Sequence, residues 1–186
     1  MRFAMFDPFC GVAGNMVLGA LIDCGLDVAS LEDMLRRLDL PRWRLGVSRV
    51  ERGGLRGTLV DFGVPEEMET RHLEDIVRIV SGSGLPDTVV ENSLGAFRKL
   101  AGAESEAHGI SVDEVHFHET GGMDAILDIT GAFCGLHLLG IERVYSSPVA
   151  TGTGTVECAH GVLPVPSPAT LRSLQGIPTV PTGIGA

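Results

Sequence analysis

The chain begins with the stretch MRFAMFDPFCGVAGNMVLGALIDCG, residues 1–25, and this stretch decides the fold class. Residues 2–6 form a short apolar run, which predicts a buried strand. Asp7 ends that run, and a glycine-bearing loop follows it. Apolar residues then recur every three or four positions over residues 14–24, which predicts a helix. A strand, a glycine-bearing loop and a helix in this order are typical of an α/β fold.

The rest of the chain alternates between helical and extended patterns. Periodicity predicts helices over residues 30–40, 73–80, 86–108, 123–139 and 168–174, a hairpin over residues 43–64, and strands over residues 112–118 and 143–147. Ser30 is the predicted N-cap of the second helix, and Pro41 is the residue expected to end it. Residues 183–186 are predicted to form neither helix nor strand. We therefore expect an α/β or α+β fold, a mixed sheet with helices packed on it in one compact domain.

Composition excludes several classes of protein. Of the 186 residues, 44% are hydrophobic and 20% are charged, so the chain can bury a core and wholesale disorder is excluded. Acidic residues outnumber basic ones by 24 to 14, and the net charge of −10 opposes binding to phosphate backbones and anionic membranes. Nucleic acid and membrane are therefore not expected as partners. The one lysine, Lys99, follows Arg98 rather than a glycine, so a Walker phosphate loop is absent.

The cysteines and the apolar runs indicate a cytoplasmic protein. The four cysteines include no C-x-x-C pair, and Asp7 interrupts the first apolar stretch, so we find no secretory signal. The most apolar stretch, residues 129–141, is shorter than the roughly 18 residues that span a bilayer. We therefore expect a reducing cytoplasm and no transmembrane helix.

The densest polar cluster is residues 114–128. If residues 115–118 are extended, His116 and His118 point to one face, so two imidazoles could bind one divalent metal. Asp124 and Asp128 lie one turn apart near a predicted helix N-terminus. Imidazoles with carboxylates suit Ni, Fe, Zn or Mn. The same pattern also fits two surface histidines and a pair of capping acids.

Two further segments carry candidate functional residues. The loop of Gly11, Gly14 and Asn15 could bind phosphate through backbone N–H groups ahead of a helix, although it also fits a tight turn. Asp7 could bind a metal or a sugar hydroxyl, or simply cap this loop. Alternate prolines over residues 164–168 predict an extended path with His160 at its entrance, and a rigid linker is the simpler interpretation.

Taken together, these segments resemble the LarC family of nickel-insertion proteins. The resemblance is carried by the motifs Asp7-Pro8-Phe9-x-Gly11-x-x-Gly14-x-Met16, Arg71-His72-Leu73-x-Asp75-Ile76, Glu114 to Glu119 with Gly121, Asp124 and Asp128, Ser147-Pro148, Gly152-x-Gly154, and His160-Gly161-x-Leu163-Pro164-x-Pro166-x-Pro168-Ala169-Thr170. These motifs occur in family order over nearly the whole chain. The chain departs from the family at Asn15, where the family usually has Asp, and in residues 65–71, which replace a histidine-rich insertion with a short acidic segment.

The resemblance implies an activity. Family members insert Ni(II) into pyridinium-3,5-bisthiocarboxylic acid mononucleotide in a CTP-dependent cyclometallase reaction of the lyase class, completing the nickel-pincer nucleotide cofactor. Residues 1–186 would be the N-terminal domain. The C-terminal nucleotide-binding domain, with its CTP and Mg²⁺ or Mn²⁺, would be missing. We expect that domain and the mononucleotide as partners, and a homo-oligomer is compatible with the sequence.

The polar cluster and the two loops, together with the resemblance, lead to a hypothesis about residue roles. His116, His118 and Asp124 would bind nickel. Asp7, Glu119, Asp124 and His160 would take part in catalysis, and Gly11, Gly14 and Asn15 would bind the nucleotide. Two alternatives stay open: a non-catalytic module that binds the pincer nucleotide or docks the C-terminal domain, and an unrelated metal-dependent hydrolase.

Overall fold

A computed structural model describes residues 1–65, 71–115, 117, 122–158 and 161–185, with side chains as far as residue 183. The helices of this part of the chain are α1 (Gly14–Asp23), α2 (Val28–Leu35), α3 (Leu73–Ser81), α4 (Asp87–His108), α5 (Met123–Leu138) and α6 (Pro168–Ser173). The strands are β1 (Phe3–Phe6), β2 (Arg44–Arg52), β3 (Leu55–Gly63), β4 (Arg143–Ser146), β5 (Val149–Thr153), β6 (Thr155–Cys158), β7 (Gly161–Pro164) and β8 (Thr179–Gly185). The predicted mixed α/β class is confirmed.

The strands that are described lie in four pairs. β1 pairs with β4 and β5 pairs with β8, both in parallel, whereas β2–β3 and β6–β7 are antiparallel hairpins. The β2–β3 hairpin turns at Gly53 and Gly54, whose φ angles of 58° and 80° need glycine. The predicted hairpin and its turn are therefore confirmed.

The core lies among the helices and the β2–β3 hairpin. Apolar side chains of the helices are buried there, including Leu18, Leu31, Leu35, Ile76, Phe97, Ile126 and Leu127. Trp43 and Phe62 close one side of this core with an edge-to-face contact, their ring centroids 5.8 Å apart. Among the described helices, none combines the length and apolarity needed to cross a bilayer.

Glycines let α1 approach its neighbours closely. A Cβ on Gly19 would lie 2.3 Å from the backbone oxygen of Thr58 in β3. A Cβ on Gly135 of α5 would lie 2.9 Å from the Leu21 side chain, and one on Gly131 would lie 3.3 Å from Leu18. Because any larger residue would push these elements apart, the glycines set the spacing between α1, α5 and the hairpin.

The second helix begins and ends earlier than predicted. Its N-cap is Asp27, whose Oδ2 accepts hydrogen bonds from the Ser30 N–H at 2.8 Å and the Ser30 hydroxyl at 2.7 Å. The Asp27 carboxylate satisfies an N–H of the first turn, so Ser30 lies inside the helix. The helix ends at Leu35, before Pro41. The predictions for this cap and this end were wrong.

Three other local predictions were wrong. Residues 3–6 form the predicted strand β1, but the strand is not buried, since Phe3 and Met5 are 63% and 60% exposed. Residues 112–114 form a 3₁₀ helix rather than a strand, with Ser111 as its N-cap and Glu114 accepting from the Ser111 N–H. Residues 179–185 form β8, which pairs in parallel with β5. The sequence did not predict β5 or β8. Both lie in a glycine- and proline-rich region without apolar alternation, and each pairs with the other rather than with a neighbouring segment.

Candidate functional site

The carboxyl ends of β1 and β4 lie side by side, because the two strands are parallel. Asp7 follows β1 and Ser147 follows β4. The Ser147 hydroxyl donates a hydrogen bond to Asp7 Oδ1 at 2.5 Å, and the Ser147 N–H donates to the Phe6 carbonyl at 3.0 Å. These bonds hold the Asp7 carboxylate at the edge where α/β sheets commonly bind ligands.

Helices α1 and α5 bring their N-termini to one end of the helical layer. Along the interface, Gly14 contacts Asp128, Leu18 contacts Gly131 and Leu21 contacts Gly135. Positions increase together on both helices, so the helices run parallel. α1 follows β1 and α5 precedes β4, so both N-termini are placed near the carboxyl ends of the two strands.

Asp128 is the most perturbed carboxylate at this end of the molecule. Its Cγ and Oδ2 would each lie 2.7 Å from a Cβ built on Gly14, and the Asn15 N–H donates a hydrogen bond to its carboxylate. Its Oδ1 is buried, with no hydrogen-bond partner among the described residues. Burial, and then the negative charge of Asp124, raise the pKa of Asp128 to about 6, while the Asn15 N–H opposes the shift.

Gly14 is required here for space. A Cβ at this position would lie 2.6 Å from the Cβ of Asp128. The α1 N-cap, Ala13, has no capping side chain, so the Asp128 carboxylate from α5 supplies the negative charge at this helix N-terminus. A phosphate at the predicted loop would have to bind through donors other than the Asn15 N–H. The Gly11 N–H also has a partner, the Pro8 carbonyl at 3.2 Å.

Asp124 lies one turn before Asp128, in the first turn of α5. Its side chain is exposed and folds toward the N-cap, since a Cβ on Gly122 would lie 2.6 Å from Asp124 Oδ1. An exposed carboxylate beside a half-buried one gives this helix N-terminus two acidic groups that differ in their access to solvent.

Four predicted site residues lie outside the described residues: His116, His118, Glu119 and His160. The structure describes two residues next to His116, Val115 and Phe117. Val115 and Phe117 are both buried, and the Phe117 N–H donates to the Arg71 carbonyl at 3.3 Å. Phe117 is thereby held to residue 71, just before α3.

Within the described ranges, no three His, Cys, Asp or Glu side chains come together as a metal-binding group. Of the predicted site residues inside those ranges, Gly14 and Asn15 both contact Asp128, and Asp124 interacts with it electrostatically. Asp7 lies at the end of β1 and bonds to Ser147 instead.

Three residues of this region were not chosen as site residues from the sequence. Asp128 was considered beside Asp124 as a metal-binding carboxylate, because a buried acid within an apolar helix needs a partner, but it was not included among the proposed ligands or bases. Arg71 is only 6% exposed and opens a motif of the family resemblance, yet the sequence offered no physical sign of its burial. Ser147 could not be found from sequence, because its contact with Asp7 joins residues 140 positions apart.

Comparison with known proteins identifies the family. The family model described as nickel insertion protein matches residues 4–185. A relative from Roseiflexus castenholzii is 48% identical over 176 residues, covering 95% of this chain and 45% of the relative. A Desulfitobacterium hafniense protein named pyridinium-3,5-bisthiocarboxylic acid mononucleotide nickel insertion protein is 47% identical over 178 residues, covering 96% of this chain and 44% of that protein.

The matches cover almost all of this chain but only part of its relatives. A third relative, from Thermomicrobium roseum, is 44% identical over 189 residues, with 100% of this chain and 47% of the relative covered. The chain therefore spans somewhat less than half the length of these curated relatives. No solved structure matches it. The matched family model and these relatives together show that this chain belongs to the nickel insertion protein family.

Proposed function

We propose that this chain is the nickel-handling half of a protein that inserts nickel into pyridinium-3,5-bisthiocarboxylic acid mononucleotide. Family membership and the name of the D. hafniense relative support this function. The structural observation that supports it best is Asp128, a half-buried carboxylate packed against α1 whose Oδ1 is buried and has no partner among the described residues. A buried carboxylate oxygen without a partner costs free energy, so a functional use for it is expected.

Nickel is the cargo of this reaction and needs ligands of intermediate strength. Our proposed ligands are His116, His118 and Asp124, with Glu119 and His160 as further ligands or bases. Imidazole and carboxylate bind Ni(II) firmly but leave it exchangeable, whereas a closed thiolate cage would retain the ion. The buried Phe117 and its bond to Arg71 support this role, because they anchor the backbone between the two histidines.

Formation of the nickel–carbon bond requires a base. Ni(II) replaces a ring C–H proton of the pyridinium, so the C–H bond breaks, the metal–carbon bond forms and the proton passes to an acceptor. Glu119, Asp124 and His160 are candidate acceptors, and Asp128 joins them here because its pKa of about 6 suits proton transfer near neutral pH. The pKa of Asp128 is raised by burial first and by Asp124 second.

The nucleotide is proposed to bind at the carboxyl ends of β1 and β4. Asp7 would accept a hydrogen bond from a ribose hydroxyl, and the loop with Gly11, Gly14 and Asn15 would contact the phosphate. Since the Asn15 N–H already donates to Asp128, the Asn15 side-chain amide is its available donor.

The whole protein's requirements are also proposals. We expect CTP and Mg²⁺ or Mn²⁺ to bind the part of the relatives outside the matched region. A cytoplasmic location is supported by four free cysteines, all within the described residues.

Calorimetric titration of the purified chain with NiCl₂ tests the metal assignment. A His116→Ala, His118→Ala double variant should lose at least about tenfold in nickel affinity, because two of the proposed ligands are removed. His137→Ala is the matched control, since this exposed histidine near the end of α5 is not a proposed ligand. Far-UV circular dichroism checks that all variants fold. Unchanged affinity in the double variant would overturn the nickel role and favour a module that binds only the nucleotide.

A further inference from the structure

A groove runs along β1, between that strand and helix α1. Its volume is about 750 Å³, and it extends from Met1 to the loop at Gly11. The lining is mainly apolar and includes Phe3, Met5, Val12, Met16, Leu21 and Leu139. Helix α1 packs mainly against β3 and α5, so its side toward β1 is left open.

The strand pair beside this groove is unusually exposed. Phe3 and Met5 of β1 are 63% and 60% exposed, and Val144 and Tyr145 of β4 are 50% and 47% exposed. Parallel strands normally belong to sheets covered on both faces, and two strands alone are marginally stable. Within the part of the chain that the structure describes, no strand pairs with the other edge of β1. Exposed apolar side chains beside an open strand edge are typical of an interaction surface.

We propose that the groove along β1 is the docking surface for the polypeptide that makes up the rest of the full-length relatives. Those relatives extend for more than half their length outside the region that this chain matches. The occupant would add an extended segment to the free edge of β1 and place apolar side chains in the groove between Met5 and Met16. Added strands and their connecting helices are the usual cover of a parallel pair.

A second copy of this chain is the less suitable occupant. A twofold axis at the edge of β1 would pair that strand with an antiparallel copy of itself. Such a pair would leave both faces of the β1–β4 pair exposed, including Val144 and Tyr145. Added polypeptide with crossover helices covers the edge and the faces together. It would also approach Asp7 and Gly11 at the carboxyl end of the groove, beside the proposed nucleotide site.

Hydrogen–deuterium exchange measured by mass spectrometry tests this surface without nickel or nucleotide. The chain alone is compared with the same chain fused to the remainder of the R. castenholzii relative. We expect the amides of Phe3–Phe6 to exchange at least about tenfold more slowly in the fusion, because added pairing removes them from solvent. The full-length R. castenholzii relative is compared in the same way with the part of it that this chain matches. This comparison shows the protection expected when both parts come from one natural protein.

Charge substitutions locate the surface within the fusion. Met5→Asp and Met16→Asp should restore fast exchange in β1, because each puts a carboxylate into the groove. Leu55→Asp is the matched control, since Leu55 is 79% exposed at the hairpin turn and does not line the groove. The three substituted side chains are exposed in the chain alone, so the circular dichroism spectrum of the chain alone should not change.

Three results would overturn the proposal. The first is equal exchange of Phe3–Phe6 in the chain, the fusion and the full-length relative. The second is protection that Met5→Asp and Met16→Asp leave intact. The third is protection in the chain alone that rises with its concentration, which would assign the groove to a second copy. Failure of nickel binding would leave all of these outcomes unaffected, because Met5 and Met16 are not proposed nickel ligands.

Discussion

The contact between α1 and α5 and the pair of β1 and β4 differ in how completely they are packed. Along the helix contact, glycines at positions 14, 131 and 135 meet side chains of the facing helix at close range. Along the strand pair, Phe3 and Met5 of β1 are mostly exposed, and every residue of β4 is exposed. Both regions carry acidic candidate site residues at one end: Asp128 on α5 and Asp7 after β1.

The helix contact is closely packed within this chain, whereas the strand pair has exposed apolar side chains that we propose are covered by additional polypeptide. The two helices of this contact have complementary surfaces, so the contact can hold the half-buried Asp128 carboxylate against the α1 N-terminus at a cost in stability. The strand pair supplies backbone hydrogen bonds but little burial, so its stability should depend on additional polypeptide.

The largest expected effect comes from truncating a buried side chain of the helix contact. Leu18 is fully buried on α1, so Leu18→Ala should lower the free energy of unfolding by about 3 kcal/mol. Met5→Ala in β1 is the matched truncation and should cost less than about 0.5 kcal/mol in the chain alone, because the side chain is already exposed. Urea denaturation measures both. Equal costs would contradict the contrast between the two regions.

An added methyl group should also destabilise the packed region. Gly19→Ala should cost about 2 kcal/mol, since the new Cβ meets the Thr58 carbonyl, a backbone atom that cannot rotate away. Gly95→Ala is the control, because an added Cβ in that part of α4 meets nothing within 4 Å. Helix propensity then predicts a gain of up to about 1 kcal/mol. A neutral Gly19→Ala would mean that α1 and β3 are not in close contact.

Asp128→Asn should stabilise the protein at neutral pH. The folded state raises the pKa of Asp128 to about 6, so folding favours the protonated acid, and this contribution is lost as the pH rises from about 4 through 6. Asparagine stays neutral and can still accept from the Asn15 N–H. We expect a gain of about 1–2 kcal/mol above about pH 7, after allowance for partial solvent screening, and nearly none below about pH 4.

Urea denaturation at both pH values checks this result. Asp124→Asn should give a smaller gain in the same direction, because it removes the charge that adds to the shift of Asp128. A loss of stability at neutral pH in Asp128→Asn would show that the carboxylate has a cation or a donor as its partner in the folded protein.

The smallest effect should be at the end of the strand pair. Ser147→Ala removes the hydroxyl that donates to Asp7, and we expect a cost of about 0.5–1 kcal/mol because the bond is exposed. Faster amide exchange in β1 should accompany it. Ser48→Ala, an exposed position on β2, serves as the control and should change neither quantity. No change in Ser147→Ala would mean that other contacts hold the two strand ends together.

Much of the fold followed from local pattern. The helices over residues 14–23, 73–81, 87–108 and 123–138 agree with the predicted spans to within two residues, because each has a sustained apolar periodicity and a clear stop. Residues 28–35 were less predictable, since Asp27 and Ser30 are both good caps and only the three-dimensional structure distinguishes them. Among the strands after residue 147, β5 and β8 were not predicted because they pair with each other across an intervening hairpin and helix. The β6–β7 hairpin is local, but its short strands lie in a glycine- and proline-rich region without a sustained apolar alternation.

The candidate site divides in the same way. The acidic cluster at Asp124 and the glycine loop at Gly11 and Gly14 could be identified from composition and spacing alone. The role of Gly14 could not, since the residue it accommodates, Asp128, lies 114 positions away and meets it only through the parallel packing of α1 and α5. Likewise, the partner of Asp7 is Ser147, on the neighbouring strand.

By itself, the sequence determined the mixed α/β class, most of the helices, the hairpin turn and membership of a nickel-handling family. Periodicity, turn residues and ordered motifs are local properties, so they can be recognised in the sequence of one chain. Only the tertiary structure decided that the Asp128 side chain of α5 packs against the N-terminus of α1. Only the tertiary structure also decided that β1 has an open edge beside an apolar groove. Burial and pairing depend on which distant surfaces meet, and a linear pattern does not specify that.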